Sequence, residues 1–408
     1  MRYILLRTLP LAAALSVAPS AWAVEWHGLL EGRASAVNAS RSWLDQGLGK
    51  LRDGSSNVRL SQAMLGVDGD LSDTISGSIV ISAADDRPHL LDVNEAWLGW
   101  NPVPNGPWKT RVKVGAFFPV TSVELDYGSV GWTPTRTLSS SAINSWIGEE
   151  LRTKGVELNI QRIGRLEGSP HDYGITVAVY DANDETGTLM AWRGWTISDR
   201  ITGLTEPLML ADLPVYQPTG KLIKQHRTIH PFREIDGKLG YYATANYGYA
   251  GWFEAALMHY DNRADPLIVK DGQYAWTTRF DHLSLKMKPH GKWEVMAQAM
   301  RGYTTMGTHG VTVDFRSLFV LASHPLGSGL LTARLDYFNT SESDRIPSDP
   351  NTEDGRSLAI AYSHPIMPGL SWVSELLTVR SERASRAQIG EAPRQNERSL
   401  STALRWQF

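Results

Sequence analysis

The chain ends in Ser399-Leu400-Ser401-Thr402-Ala403-Leu404-Arg405-Trp406-Gln407-Phe408. From position 400 onward the even positions are Leu, Thr, Leu, Trp and Phe, whereas the odd positions from 399 are Ser, Ser, Ala, Arg and Gln. This period of two is that of a β-strand, in which successive side chains point to opposite faces. The stretch therefore predicts a strand with one face suited to hydrocarbon and the other suited to water.

The same alternation recurs along the chain in segments of roughly ten residues, each followed by a cluster of turn residues. Clear examples are residues 74–82, 108–118, 312–321 and 331–337. Beyond the N-terminal region no stretch approaches the ~18 consecutive apolar residues of a membrane-spanning helix. No linker or break in composition marks a domain boundary, so residues 24–408 are expected to form one domain.

The N-terminal residues have the layout of a secretory signal peptide. Arg2 and Arg7 precede an apolar run over residues 9–17, and Ala21-Trp22-Ala23 provides a cleavage site. We expect residues 1–23 to be removed. The alternative, an N-terminal membrane anchor, is disfavoured because the run is far shorter than the roughly 20 residues that a spanning helix needs.

Connections between the alternating segments are short and long in strict alternation. The expected short connections are 71–73, 102–107, 164–170, 248–251, 289–292, 325–329 and 365–369. The expected long connections are 37–56, 84–91, 119–149, 181–237, 262–272, 304–311, 339–354 and 381–396. The pattern predicts an all-β fold, a sixteen-stranded antiparallel transmembrane β-barrel with both termini at the short-turn, periplasmic end.

Two local features are less regular. Residues 189–200 also have a strand-like pattern, but a span there would break the even strand number, so we assign them to the fourth long connection. Within residues 274–288 the apolar phase switches near Asp281 and His282, for which a β-bulge is one explanation. A soluble β-sandwich is the main alternative fold. It would need far fewer strands, and the Trp and Tyr residues cluster near segment ends, as in an interfacial girdle.

Composition narrows the function. Loss of Arg2 and Arg7 would take the formal charge from -3 to -5, which argues against nucleic acid as a partner. There is no cysteine, so a disulfide scaffold, a thiolate metal site and a cysteine nucleophile are excluded. No nucleotide-binding or metal-binding motif is present, and we expect no cofactor and no metal.

Two regions resemble known proteins. The end of the chain, with Phe408, Trp406 and Leu404 on one face, resembles the signal that the bacterial barrel-assembly machinery recognises. The stretch from Val114 to Pro119, followed by Glu124, resembles a strand-and-loop motif of phosphate-selective Gram-negative porins. Residues 131–134 and 141–152 look like a version found in uncharacterised proteobacterial porin-like proteins.

This resemblance implies that the third extracellular loop, 119–149, folds into the barrel and forms a constriction, and that the protein is a homotrimer. The candidate constriction residues are Glu124, Asp126, Arg136, Glu149 and Glu150. Opposite them we expect a pore-lining basic ladder of Lys109, Arg111, Lys113, Arg152 and Lys154. The alternative is that these are ordinary water-facing charges without a role in selectivity.

Sixteen strands are enough to enclose an aqueous lumen. We therefore expect a pore in the bacterial outer membrane that lets small polar or ionic solutes diffuse, without a dedicated phosphate path, because a sustained Arg and Lys track is missing. An adhesion or assembly barrel that uses residues 181–237 is one alternative. A barrel enzyme is another, with candidate fragments Asp85-Asp86, His259 with Asp261, and Asp281-His282.

Overall fold

The computed structural model describes residues 24–104, 106–125, 131–308, 310–344 and 346–408. The expected signal peptide, 1–23, and Asp126 lie outside the described residues. The barrel strands are β1 (Val24–Asn38), β2 (Asn57–Asp70), β3 (Ile75–Ala83), β4 (Leu91–Trp100), β5 (Trp108–Phe117), β6 (Thr153–Arg162), β7 (His171–Asp181), β8 (Gly240–Tyr249), β9 (Phe253–Asp261), β10 (Thr277–Met287), β11 (Glu294–Met306), β12 (Val311–Leu326), β13 (Gly329–Glu342), β14 (Glu353–Met367), β15 (Leu370–Arg383) and β16 (Arg394–Gln407).

Within the described residues these sixteen strands form one closed antiparallel barrel in sequence order. β1 pairs with both β2 and β16, so no sheet edge remains. This confirms the predicted fold and strand number. It also confirms that 189–200 belong to a connection. Three long connections matter below: loop 1 (residues 39–56), loop 3 (residues 118–152) and loop 4 (residues 182–239).

The terminal strand has the predicted faces. Leu400, Leu404 and Trp406 are 58%, 54% and 47% exposed on the outer wall, whereas Ala403 and Arg405 are 2% and 5% exposed toward the lumen. Gly28 forms the last pair of the seam that closes the barrel, because its backbone N–H donates to the carbonyl of Phe408 and its carbonyl accepts from the Phe408 N–H. A Cβ at position 28 would lie 2.2 Å from the Phe408 ring, so glycine is what allows the final residue to dock.

Aromatic residues follow two patterns. A girdle at the short-turn end is formed by Trp100, Trp108, Trp252, Trp293 and Trp406, which are each 46–49% exposed. The buried tryptophans are Trp43, Trp132, Trp146, Trp192, Trp195 and Trp276. The expectation that the aromatics mostly form a girdle is therefore only partly correct, because the loops carry a second set inside the molecule.

The expected bulge near Asp281 and His282 is wrong. β10 pairs with β9 and β11 in unbroken register, and the register shifts lie at Glu31/Gly32, Val80/Ile81 and Pro365/Met367. The phase switch in β10 has another cause. Toward its long-loop end the inward residue is apolar Phe280, which stacks with Tyr260, and the outward residues are Arg279 and Asp281.

Two α-helices lie in the described parts of the loops, α1 (Ala142–Glu150) in loop 3 and α2 (Thr188–Trp192) in loop 4. Two short ribbons pair Leu208–Met209 with Thr228–Ile229 and Val269–Lys270 with Gln273–Tyr274. In the described part of the chain no helix has the length and apolar character needed to cross a membrane.

Candidate channel constriction

Loop 3 is attached to the inner wall through Glu124 and Arg334. The Glu124 carboxylate accepts hydrogen bonds from the Ser141 N–H at 3.0 Å and from the Asn144 side chain at 2.6 Å, just where Ser141 caps the start of α1. Arg334 on β13 pairs with Glu124 at 2.6 Å and with Asp336 at 3.0 Å, and its guanidinium also donates to two loop 3 carbonyls. Arg334, Glu124 and Asp336 all lie inside, and the first two are fully buried.

Further bonds join loop 3 to other strands. Arg405 on β16 donates to the Pro134 carbonyl, Glu375 on β15 accepts from the Leu138 N–H, and Arg136 pairs with Glu294 on β11. Together with Arg334 on β13, these contacts join loop 3 to lumen-facing side chains of β11, β13, β15 and β16, which lie in one arc of the barrel wall.

The apolar side of α1 packs against aromatic side chains of β10 and β12. The Trp146 ring lies 5.6 Å from the Phe280 ring and 5.2 Å from the Phe315 ring, and meets Trp195 of loop 4 at 6.0 Å. Edge-to-face and tilted contacts at these distances stabilise aromatic pairs. These contacts fix α1 against β10, β12 and loop 4.

The sequence predicted the extent of loop 4 but not its burial. Residues 182–203 are all buried. Ser198 exchanges hydrogen bonds with the Ser145 hydroxyl of α1, the Thr202 N–H donates to the Gly148 carbonyl, and the Ile197 N–H donates to the Lys50 carbonyl of loop 1. Loops 1, 3 and 4 thus form one packed layer. The available signal was composition, since Trp192, Trp195 and Ile197 are unusual in a water-exposed loop.

Asp199 of loop 4 joins several charged and polar side chains of this layer. It pairs with Arg33 of β1 at 2.6 Å and with Arg52 of loop 1 at 3.2 Å, and accepts a hydrogen bond from Gln62 at 3.0 Å. Burial alone would raise the pKa of Asp199, but the two guanidinium groups more than offset burial and hold the pKa well below its usual range. Asp199 is therefore ionised and holds loop 4 against β1.

The predicted basic ladder is on the expected face for three of its members. Lys109, Arg111 and Lys113 alternate with the outward Val114 along β5. Lys113 pairs with Glu157 at 3.5 Å, and Arg111 lies over the Trp97 ring at 4.7 Å. Lys109 is exposed, so this segment offers positive charge to the lumen.

The other two expected members lie elsewhere. Lys154 shares the outward face of β6 with Val156 and Ile160 and donates to the Phe232 carbonyl, so its assignment to the pore is wrong. Arg152 is fully buried over the Phe118 ring at 3.4 Å and donates to the Thr202 carbonyl. Burial lowers the pKa of Arg152 to about 9. Its role in this structure is to join loop 3 to loop 4.

The predicted acids of loop 3 are bonded rather than free. Glu149 pairs with Arg193 of loop 4 at 2.5 Å, and Glu150 accepts from the Leu189 N–H at 2.8 Å. Both are fully buried, so neither faces the ladder across open water. Burial raises the pKa of Glu150 to about 7. The carboxylates of Glu149 and Glu150 bind loop 3 to loop 4.

Cavities lie on both sides of the loop layer. One of about 390 Å³ is lined by Gln161, Asn246 and Glu254 of the wall and by Ser122 of loop 3. Another of about 300 Å³ is lined by Trp43, Arg193 and Arg200 in the loops. A third, of about 30 Å³, lies where Arg33, Arg52 and Asp199 meet Ser399 and Ser401. That volume is close to one water molecule, so this polar gap beside β1 and β16 is narrow.

The fragments considered for an enzyme are dispersed. Asp86 pairs with Arg52 and Arg200 in the loop layer, His282 faces inward toward Gln298, and His259 pairs with Asp281 on the outer wall at 2.9 Å. Among the described residues Asp184, Glu234 and Asp236 form an acidic cluster with the spacing of cation ligands. The Asp184 carboxylate already accepts two backbone N–H groups there.

Comparisons with known proteins agree on the fold. No family model and no curated protein matches the sequence. Among solved structures, the outer membrane channel DcaP of Acinetobacter baumannii has a TM-score of 0.56 at 12% identity, with 96% of this chain and 99% of that chain covered. The anion-selective porin from Comamonas acidovorans has a TM-score of 0.53 at 13% identity, with 95% of this chain and 100% of that chain covered. Salmonella typhi OmpF in complex with daunomycin has a TM-score of 0.51 at 10% identity, with 94% of this chain and 97% of that chain covered. The chain therefore has the fold of Gram-negative outer-membrane porins.

Proposed function

We propose that the protein is an outer-membrane porin through which small polar or ionic solutes diffuse passively, and that the layer of loops 1, 3 and 4 limits the passage. A closed barrel satisfies every backbone group, which membrane spanning requires. The observation that carries the proposal is the polar gap beside Arg33 and Asp199, with a water-accessible cavity on each side of the loop layer.

We further propose a general pore of small aperture rather than a dedicated phosphate conduit. Dedicated anion paths need arginines whose charge is available to the solute. Here Arg33 pairs with Glu31 and Asp199, and Arg334 pairs with Glu124 and Asp336. These pairings neutralise the wall, and the exposed end of the β5 ladder leaves at most a mild anion preference. A homotrimer agrees with the resemblance, and one similar structure, OmpT of Vibrio cholerae, is described as a trimer form.

The burial of residues 182–203 bears on the adhesin alternative. An adhesive loop presents its side chains to a partner, whereas this part of loop 4 presents them to loop 3 and the barrel wall. We therefore favour the channel.

The experiment is a selectivity measurement on the purified protein in planar bilayers under a salt gradient. Asp199→Asn removes the carboxylate that faces Arg33 and Arg52, so we expect the reversal potential to move toward anions. Asp212→Asn makes the same change in the same loop at a residue whose side chain is 59% exposed, and we expect no shift. Equal reversal potentials in all three proteins would place the ion path away from Asp199.

A further inference from the structure

The cavity of about 300 Å³ in the loop layer lies where loops 1 and 4 meet loop 2 (residues 84–90). One side of it is the ribbon that pairs Leu208–Met209 with Thr228–Ile229. Met209 is 50% exposed at the rim, whereas Trp43 and Leu189 are buried, so the cavity opens past Met209 on the long-loop side. Its wall is mostly apolar and includes Trp43, Leu44, Leu189, Leu208, Met209 and Leu210.

Two hydrogen-bond donors on side chains that line this cavity lack an acceptor. Within the described residues, the Trp43 indole N–H and the Arg193 Nη1 group have no hydrogen-bond partner, although both side chains are more than nine-tenths buried. The Arg193 guanidinium lies 4.6 Å from the Trp43 ring, so both donors belong to one part of the wall. A buried donor without an acceptor destabilises the folded protein. An acceptor supplied by a ligand would remove that penalty.

The charged groups of the wall are already paired with one another or with a neighbour. Arg193 pairs with Glu149 at 2.5 Å through its other terminal nitrogen. Arg200 pairs with Asp86 at 3.1 Å and also with Glu206. The lining itself holds two arginines and two carboxylates. Since no charge is left over, a charged ligand would be buried without a partner, which is costly. The cavity therefore favours an uncharged ligand.

From this geometry we infer that the cavity binds a small uncharged organic molecule that has an apolar body and a carbonyl group. The carbonyl oxygen accepts from Trp43 and Arg193, since it has two lone pairs, and the apolar body packs against the leucines and Met209. A mostly apolar pocket with a few polar groups at fixed positions is the usual form of a small-molecule site. The inference goes beyond the proposed function and does not depend on conduction.

The test is isothermal titration calorimetry of the full protein in detergent, with the heat of empty micelles subtracted. The probe is N-acetyl-L-phenylalaninamide, in which a phenyl ring provides the apolar body and two amides provide carbonyl groups. The comparison compound is N-acetyl-L-phenylalanine, which has the same body but carries a carboxylate at neutral pH. We expect saturable binding of the amide, and binding of the carboxylate that is at least about tenfold weaker.

Trp43→Phe keeps an aromatic ring in the wall but removes the indole N–H. It should weaken binding of the amide by about two- to tenfold, the range for loss of one hydrogen bond between neutral groups. The matched control is Trp276→Phe. Trp276 is also buried and its indole N–H also lacks an acceptor among the described residues, but it does not line the cavity. This variant should bind the amide as the wild type does.

Met209→Ala tests the apolar rim at a half-exposed position, where the change should not affect folding. It should weaken binding by several-fold, because less apolar surface is covered by the ligand. Met367→Ala, at a 60% exposed residue on β14 at the short-turn end, is its control and should have no effect.

Absence of saturable binding by the folded wild type would overturn the inference. Equal binding in Trp43→Phe and Trp276→Phe, or in Met209→Ala and Met367→Ala, would also overturn it, since the amide would then bind elsewhere. Binding of the carboxylate as tightly as the amide would overturn the assignment of an uncharged ligand. Bilayer conductance of the same samples separates the two proposals: a protein that conducts but does not bind the amide refutes only this inference.

Discussion

Arg334→Met tests whether loop 3 is held in the lumen by charge. The substitution keeps most of the side-chain volume but leaves Glu124 and Asp336 without the guanidinium that lies 2.6 and 3.0 Å away. It also removes the donors to the Ser139 and Ser140 carbonyls. Breaking a buried pair by removing one partner costs about 3–5 kcal/mol.

If that cost falls on the attachment of loop 3, the ratio of attached to detached loop falls by about two to four powers of ten. We expect larger single-channel conductance with frequent transitions between levels, measured in planar bilayers. Glu124→Gln combined with Arg334→Met removes both buried charges of the pair and should recover part of the wild-type behaviour. Arg380→Gln, at an outward position on β15, is the control and should leave the single-channel conductance unchanged. A quiet, wild-type-sized channel in the Arg334→Met protein would refute the assignment of loop 3 as the narrowing element.

Three further predictions address closure, pH and selectivity. Gly28→Leu should slow or prevent barrel assembly, because a Cβ at this position would lie 2.2 Å from the Phe408 ring. Gly32→Ala is the control and should assemble normally, since a Cβ there has nothing within 4 Å. Assembly is followed by heat-modifiable mobility on gels, and equal assembly of the two variants would show that Phe408 docking is dispensable. Burial raises the pKa of Glu150 to about 7 and of Glu185 to about 8. Each of these two carboxyl groups should therefore cost the loop layer about 3 kcal/mol as the pH rises from about 4.5 to about 7, where the unfolded carboxyl ionises but the buried one does not. Conductance should then be lower at pH 5 than at pH 8, and Glu150→Gln with Glu185→Gln should remove the difference; a pH dependence that survives both changes contradicts this account. Reversal of Lys109, Arg111 and Lys113 to Glu should shift the reversal potential toward cations, and an unchanged potential would place the ladder away from the ion path.

The barrel was predictable because its signals are local. Alternation within ten residues sets the face of each strand, and turn lengths set the strand number, so the pattern at 399–408 and the alternating connections lead to sixteen strands. The misplacement of Lys154 shows the limit of this reasoning. Near the long-loop end the inward side chains pack against loops 1, 3 and 4, and the outward side chains include Arg279 and Arg301, so polarity no longer identifies the inward face there.

The loop layer was not predictable, because its contacts join distant parts of the chain. Asp199 pairs with Arg33 and Arg52, and Glu124 pairs with Arg334, across sequence separations of 166, 147 and 210 residues. No local pattern records such partners. The acids of loop 3 were predicted to line the constriction, but partners in loop 4, Arg193 and the Leu189 N–H, hold Glu149 and Glu150 in buried positions.

Shortening loop 4 tests most directly whether protein loops limit a water-filled barrel. Residues 188–202 would be replaced by a short Gly-Ser linker, and single-channel conductance compared with that of the intact protein under the same salt. We predict small ohmic steps for the intact protein and several-fold larger steps for the shortened one. Absence of current in both proteins, once each is shown to be folded and inserted, would contradict the claim that this barrel is a channel.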